Sequence, residues 1–385
     1  MKISLNFLKK LVKINVSDEE LVRLVGARLV ELEGVVDETH KYDKIYVVRV
    51  ASAEKIPDTH LTLCKIDTGA KELVQVVCGA PNVRAGMLAV WIAPGAVVPA
   101  SVKEDAPFVI GKRKMQGYES NGMLAGADEL DFGDDHSGIV EIEPGTAEPG
   151  AKLADVFELD DLVLEIENKS LTHQPDCFGM IGFTREVAGI LGEPFDYKLD
   201  VEASEIRSEM TSPQITIESA AICPRYSAVI LAKHGELKKK YLTYMDTILA
   251  KSGMRPVDKI VDVTNYLMLL TGQPLHAFDY DKFVQVGGSD EACVGVRLAR
   301  AGEHLVLIDS KDITLGENDI VITSNDKPVA LAGAMGGKST EIDENTRNVL
   351  IEGATFSLYN LRKTQMEHGI FSEAITRFTK GQPDY

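Results

Sequence analysis

Glu352 stands inside an apolar run, Leu350-Ile351-Glu352-Gly353-Ala354. A carboxylate is costly to bury unless a hydrogen-bond donor meets it. The residue therefore reads either as an acceptor for a polar ligand or as a strand-end glutamate bonded to backbone or lysine. A second group combines Thr264 and Asn265 with His276, which follows the turn from Gly272 to Pro274. Their donors and acceptors suit the positioning of a polar group and a water, and an imidazole can move a proton near neutral pH. The competing reading assigns Asn265 to backbone capping and His276 to the turn. A third feature, Gly333 to Gly337 (GAMGG), follows the strand-like Val329-Ala330-Leu331. Its glycines let backbone amides come close to a carbonyl or carboxyl end. The tail Gly337-Lys338-Ser339 resembles the end of a phosphate loop, but the spacing requires glycine at 332, where Ala332 sits, so ATP binding is not expected there.

Other chemistries find little support. No Ser-His-Asp arrangement or metal-ligand spacing stands out, and the five cysteines are widely separated, without a CxxC pair. No metal site is expected. His173 and Asp176, in THQPD, read as a turn followed by an aspartate capping a helix. For RNA there are two basic clusters. Lys112-Arg113-Lys114 lies near Tyr118, a stacking partner of the kind single strands use, although a solvated hairpin tip has the same pattern. Lys238-Lys239-Lys240 is expected at a helix start.

These groups need elements to hold them. The 385 residues suit several domains. Residues 1–39 read as a short strand and two amphipathic helices, with Ser17 and Glu20 forming a capping box. From 40 to 150 the texture turns to short β-rich runs broken by Gly and Pro, the pattern of a small barrel. Helical patterning returns after Pro175 and ends at Gly192, so the barrel interrupts a split N-terminal helical domain, 1–39 plus 151–195. Residues 196–212 read as a linker, and 213–385 as an α+β domain. Within it, Leu237, Tyr241, Met245, Ile248 and Leu249 predict one helix, and Asp258 caps another that runs to Gly272.

A formal charge of −18 argues against a protein that coats nucleic acid through its net field, so any RNA contact is local or shared with a partner. No apolar run approaches the roughly 20 residues a membrane helix needs. Met1-Lys2-Ile3-Ser4 leads directly into patterned sequence without an export signal. A cytoplasmic location, with no membrane or DNA partner, is expected.

Segments across nearly the whole chain resemble the beta subunit of bacterial-type phenylalanine-tRNA ligase. They include MKISLNFLKKLV, LVELEGVVDE, CKIDTG, VVCGAPNVRAGMLAVWIAPGAVVP and GYESNGMLAGADEL, then NKSLTHQPDCFGMIGFTREVAGILG. CPRYSA, RPVDKIVDVTNYLMLLTGQPLHAFDYDK, KPVALAGAMGG, LIEGATF and ITRFTKG follow in the family's order. The departures are Ile56-Pro57-Asp58-Thr59-His60 in place of an HPNAD-like turn, Gln174 for a common arginine, and Ser372-Glu373-Ala374 for Thr-Asp-Ala.

The resemblance implies a multidomain α+β protein: a helical domain interrupted by a tRNA-binding OB-fold, then an α+β editing domain that hydrolyses mischarged Tyr-tRNA(Phe). It implies catalytic roles for Thr264, Asn265 and His276. Glu352, Gly333, Met335, Gly336, Ser372 and Ala374 would bind substrate, and Lys112, Arg113, Lys114 and Tyr118 would bind RNA. Positioning of water is preferred to general-base catalysis, because an aminoacyl ester is already activated. The complete enzyme would attach phenylalanine to tRNA(Phe) using ATP and magnesium, with the synthetic site on an alpha subunit. Because family members continue beyond the equivalent of Tyr385, a fragment or truncated form is expected. The alternatives are a non-catalytic RNA-binding or assembly module with an inactive pocket, and a freestanding deacylase acting in trans.

Overall fold

The computed structural model describes residues 1–197, 212–232, 235 and 237–382; most of the expected linker, residues 198–211, lies outside them. The chain opens with strand Lys2–Ser4 and helices Leu5–Leu11 and Asp18–Arg28. Ser4 and Ser17 cap these helices by accepting from the amides of Phe7 and Glu20, each cap contributing about 1 kcal/mol.

The first unit is less helical than its sequence pattern implies. Lys2–Ser4, Leu162–Ile166 and Leu32–Asp37 form a three-stranded antiparallel sheet, with Asp37 opposite Leu162 and Ile3 opposite Leu164. Each strand is short, and its partner lies more than a hundred residues away, so no local periodicity announces it. Helix Met180–Leu191 packs on the same core, which gathers Leu8, Leu21, Val25, Leu164, Phe178 and Phe183. Asp176 does not cap that helix. A 3₁₀ turn, Pro175–Phe178, intervenes, Gly179 takes the N-cap position, and Asp176 pairs with Arg185.

Between these strands lies a barrel-like antiparallel sheet in the order Glu141–Ile142, Leu88–Ile92, Ile45–Lys55, Thr62–Asp67 and Val74–Cys78, with Met123–Leu124 also paired to Leu88–Ile92. Both faces are covered. Ile45 and Val47 belong to one apolar cluster, Val48 and Val50 to another, as the twofold alternation of a strand requires.

The remainder is α+β. A five-stranded sheet runs in the order Gln214–Ile217, Cys293–Leu298, Ile320–Ser324, Lys327–Leu331 and Met335–Gly336. It shares a core with a three-stranded sheet whose central strand, Val349–Thr355, is flanked by Arg225–Leu231 and Leu275–Asp279. Helix Lys259–Thr271 starts at Asp258, which accepts from Ile260 and Val261, and ends at Gly272 in the left-handed region (φ 81°), as expected. Helix Tyr244–Lys251 is shorter than predicted. A capping box between Thr243 and Asp246 starts it there and leaves Leu237 and Tyr241 outside. Ile248, Leu249, Leu269 and Leu270 of these two helices join the core of the first unit, so residues expected in one domain are packed partly on another.

Candidate substrate cleft

The three-stranded sheet places Glu352 directly between Ala228 on one side and His276 on the other. Residues opposed across a sheet share a face, so the carboxyl and the imidazole point to the same side. That side opens on a cleft lined by Glu352, His276, Gly333, Met335, Gly336 and Ala374. The cleft measures ≈ 60 Å³. Cavities that take up a benzene ring are near ~150 Å³, so an aromatic ligand enters only when a lining side chain moves. Met335, unbranched and adaptable, is suited to that.

Glu352 is 6% exposed, and burial pushes its carboxyl up to about 7. The hydroxyl of Tyr226 donates to Oε2 at 2.7 Å and opposes that rise. Burial, reinforced by Glu352, holds the Tyr226 phenol well above its usual range, so it remains O–H. Sequence reasoning missed this partner. Tyr226 lies within the CPRYSA segment, and a buried carboxylate in search of a donor was the available signal.

His276 is partly buried, and desolvation pushes its imidazole down to about 4. At neutral pH it is uncharged and a weak proton acceptor. Its ring meets Phe278 edge-on at 4.4 Å. Gly336 closes the other side: a Cβ there would lie 2.6 Å from the ring's Cε1 and 2.8 Å from Nε2. Gly336→Ala is therefore expected to displace the imidazole and destabilise the fold by about 1–3 kcal/mol. Urea denaturation and the His276 ring resonances would check this, and an unmoved ring would refute the close packing. Gly333 is needed for a different reason. Its φ of 64° is left-handed, and a Cβ would press on Leu361, Phe378 and Phe356.

Ser372 does not line the cleft but holds its wall. Its hydroxyl donates to the Ala334 carbonyl at 3.2 Å and caps helix Glu373–Phe378 by accepting from Ile375. Thr264 and Asn265 lie in the middle of helix Lys259–Thr271 and are not among the lining residues. The Thr264 hydroxyl is engaged by the Val261 carbonyl at 2.8 Å.

The basic residues separate by environment. Lys112, Arg113 and Lys114 are exposed on strand Lys112–Met115, joined to Tyr118–Asn121 by Gln116 and Gly117, both at positive φ. That is the hairpin turn favoured by strand twist. Ser120 anchors the hairpin by accepting from the Val77 amide at 3.0 Å. Lys239, in contrast, is no surface cation. It sits between Asp246, at 2.5 Å, and Asp262, and the stretch from 237 to 243 is not helical.

Residues 222–384 match the B3/4 domain family, and residues 45–152 match a tRNA binding domain family. The phenylalanine--tRNA ligase beta subunit of Streptococcus pneumoniae serotype 4 is 38% identical over 99% of this chain and 46% of its own length. That of Streptococcus mutans is 37% identical over the same shares. Over nearly its whole length the chain is homologous to phenylalanine-tRNA ligase beta subunits. It spans about half the length of the curated relatives it matches. An N-terminal fragment of the phenylalanyl-tRNA synthetase beta subunit from Pyrococcus horikoshii gives a TM-score of 0.28 at 15% identity, covering 55% of this chain and 62% of its own, a likeness too slight to carry an argument.

Within this beta-subunit relative, the B3/4 match encloses the whole cleft and the tRNA binding match encloses the barrel and its hairpin. One cluster was not apparent from spacing. Asp319, Glu367 and His368 bring ligand-type atoms within 4.8 Å of one another. Asp319 already accepts from Thr364 and Gly316 and bonds the His368 ring, which anchors helix Leu358–His368 to the loop that enters Ile320–Ser324, the central strand of the five-stranded sheet. Among the described residues, no helix is long and apolar enough to cross a membrane.

Proposed function

We propose that this chain is the tRNA-handling and editing portion of a phenylalanine-tRNA ligase beta subunit, and that its cleft hydrolyses Tyr-tRNA(Phe). The observation that carries the reading is Glu352: a buried carboxyl, inside the B3/4 match, lining a cleft with one oxygen engaged and the other without a partner among the described residues. A tyrosine hydroxyl satisfies the remaining oxygen, whereas phenylalanine leaves it unpaired. A site built to bond a hydroxyl rejects the analogue that lacks it. His276 and the Gly333–Gly337 backbone then hold the ester and orient water. A neutral imidazole of low basicity suits positioning better than proton abstraction. Deacylation of Tyr-tRNA(Phe) against Phe-tRNA(Phe) tests the reading directly.

In this proposal residues 1–39 and 151–195 form the split first domain, 40–150 the OB-fold and 213–385 the editing domain. Phenylalanine ligation, with its ATP and magnesium, belongs to the complete enzyme and its alpha subunit. The residues here do not fit a nucleotide: Gly337 packs on Val329, with a Cβ position 2.3 Å from its carbonyl oxygen, and Lys338 pairs with Glu341. A second reading, a non-catalytic assembly or RNA-binding module, draws support from the absence of Thr264 and Asn265 from the cleft lining.

The hairpin is the proposed RNA contact. Substituting Lys112, Arg113 and Lys114 together with alanine is expected to weaken tRNA(Phe) binding and lower the slope of log K against log salt by about two to three, since each phosphate contact contributes a little under one. Binding titrations at several salt concentrations check this. An unchanged slope would remove the hairpin from the interface.

A further inference from the structure

The proposed hydrolysis assigns no role to Tyr226, although its phenol is buried and bonds the carboxyl that would read the substrate. We propose that Tyr226 is a specificity-determining positioning residue: by donating to Oε2 of Glu352 it orients that carboxyl and leaves Oε1 as the acceptor for the hydroxyl of a tyrosyl ester. The inference rests on the editing reading and deepens it.

The geometry comes from the sheet. Tyr226 is opposite Ala354 and Glu352 is opposite Ala228, so Tyr226 and Glu352 are diagonal neighbours on one face. That is the reach of an aromatic side chain. The 2.7 Å bond is the only hydrogen bond of Glu352 among the described residues. Among the described residues, no lysine or arginine compensates the carboxyl. The titratable groups facing it are Tyr226 and Cys223, from the strand Arg225–Leu231 and the turn before it, and His276 from the strand Leu275–Asp279. The thiol is pushed up to about 12 and the imidazole down to about 4, so both are neutral at pH 7. Tyr226 is thus the one group that favours the anion over the acid. An ionised acceptor makes a stronger bond with a phenol than a neutral one does.

The consequence concerns protons. Burial alone would hold Glu352 protonated at neutral pH, and the Tyr226 bond works against this. In Tyr226→Phe the carboxyl loses its donor, and its midpoint moves upward. Preference for tyrosine over phenylalanine, which needs the ionised form, should then appear only at higher pH. Loss of packing alone would lower hydrolysis at every pH and leave the midpoint where it was.

The test uses the 385-residue chain, with Tyr-tRNA(Phe) and Phe-tRNA(Phe) as probes, from pH 5.5 to 9. The Glu352 carboxyl titration is followed in parallel by carbon NMR, assigned with Glu352→Gln. In Tyr226→Phe the Glu352 midpoint is expected to rise by one unit or more. Tyrosine preference should fall about fivefold or more at pH 7 and recover toward pH 9. An unmoved midpoint, or a moved midpoint with unchanged preference, would overturn the proposal. Should that variant fail to fold, 3-fluorotyrosine placed at 226, a stronger donor, must shift the midpoint down, and no shift overturns it equally. Failure of the wild-type chain to prefer the tyrosyl ester at any pH would sink both the editing reading and the specificity role. A midpoint that still moves would show that the Tyr226–Glu352 coupling exists without them.

Discussion

Glu352→Ala is expected to remove discrimination between Tyr-tRNA(Phe) and Phe-tRNA(Phe), lowering the ratio of their hydrolysis rates by about tenfold to a hundredfold. The magnitude follows from the state of the carboxyl. It is buried, and a desolvated acceptor left unpaired costs roughly 1–3 kcal/mol, which phenylalanine incurs and tyrosine avoids. The upper end is not expected, because Tyr226 already satisfies one oxygen and only the other distinguishes the two substrates. Truncation leaves a hole beside the Tyr226 hydroxyl, so Glu352→Gln serves as the isosteric control. It preserves volume but offers an amide in place of an ionisable group. Single-turnover deacylation of both esters measures the ratio. A ratio unchanged in both variants would mean that something other than Glu352 reads the hydroxyl.

Lys239→Met is expected to cost about 3–5 kcal/mol of stability, the loss found when one member of a buried ion group is removed. Lys239 joins Asp246, 4% exposed in its side chain, and Asp262, which is fully buried. Methionine fills much of the volume but takes the cation from two buried carboxyls, which keep only uncharged donors, the Thr243 amide and hydroxyl and the Val257 amide, among the described residues. Burial already holds Asp262 above its usual range, with Lys239 acting against that rise, so loss of the cation lifts it further. A carboxyl whose folded pKa is raised penalises folding only where the unfolded chain would be ionised, above about pH 4. The deficit should therefore shrink as pH falls from 7 toward 4. Urea unfolding at pH 7 and pH 5 measures this. A loss below about 1 kcal/mol at pH 7 would show that the three groups do not act as one.

What could be read in advance divides by distance along the chain. Asp258 and Gly272 were legible as helix ends because a cap acts within one turn. Val329–Leu331 was legible as a strand because its run is apolar on both faces. The pairing of Leu162–Ile166 with Leu32–Asp37 was not, since neither segment carries a signal of its partner. Lys239 looked like its neighbours because a run of lysines reads the same whether one of them is solvated or enclosed. In the cleft, His276, Gly333 and Gly336 line the same wall region as Glu352, whereas Tyr226, 126 residues from Glu352, has meaning only once the sheet register is known.

The sheet of the first unit also imposes an order in time. Lys2–Ser4 and Leu32–Asp37 have no partner until Leu162–Ile166 has been made. At bacterial elongation rates the intervening stretch takes roughly ten to thirty seconds to synthesise. Until then Lys2–Ser4 and Leu32–Asp37 have unpaired edges, while the barrel, whose strand pairings fall between residues 45 and 142 and whose bridge from Tyr46 reaches only to Lys152, can complete itself first. The barrel is thus free to mature before the three-stranded sheet that brackets it in sequence is complete.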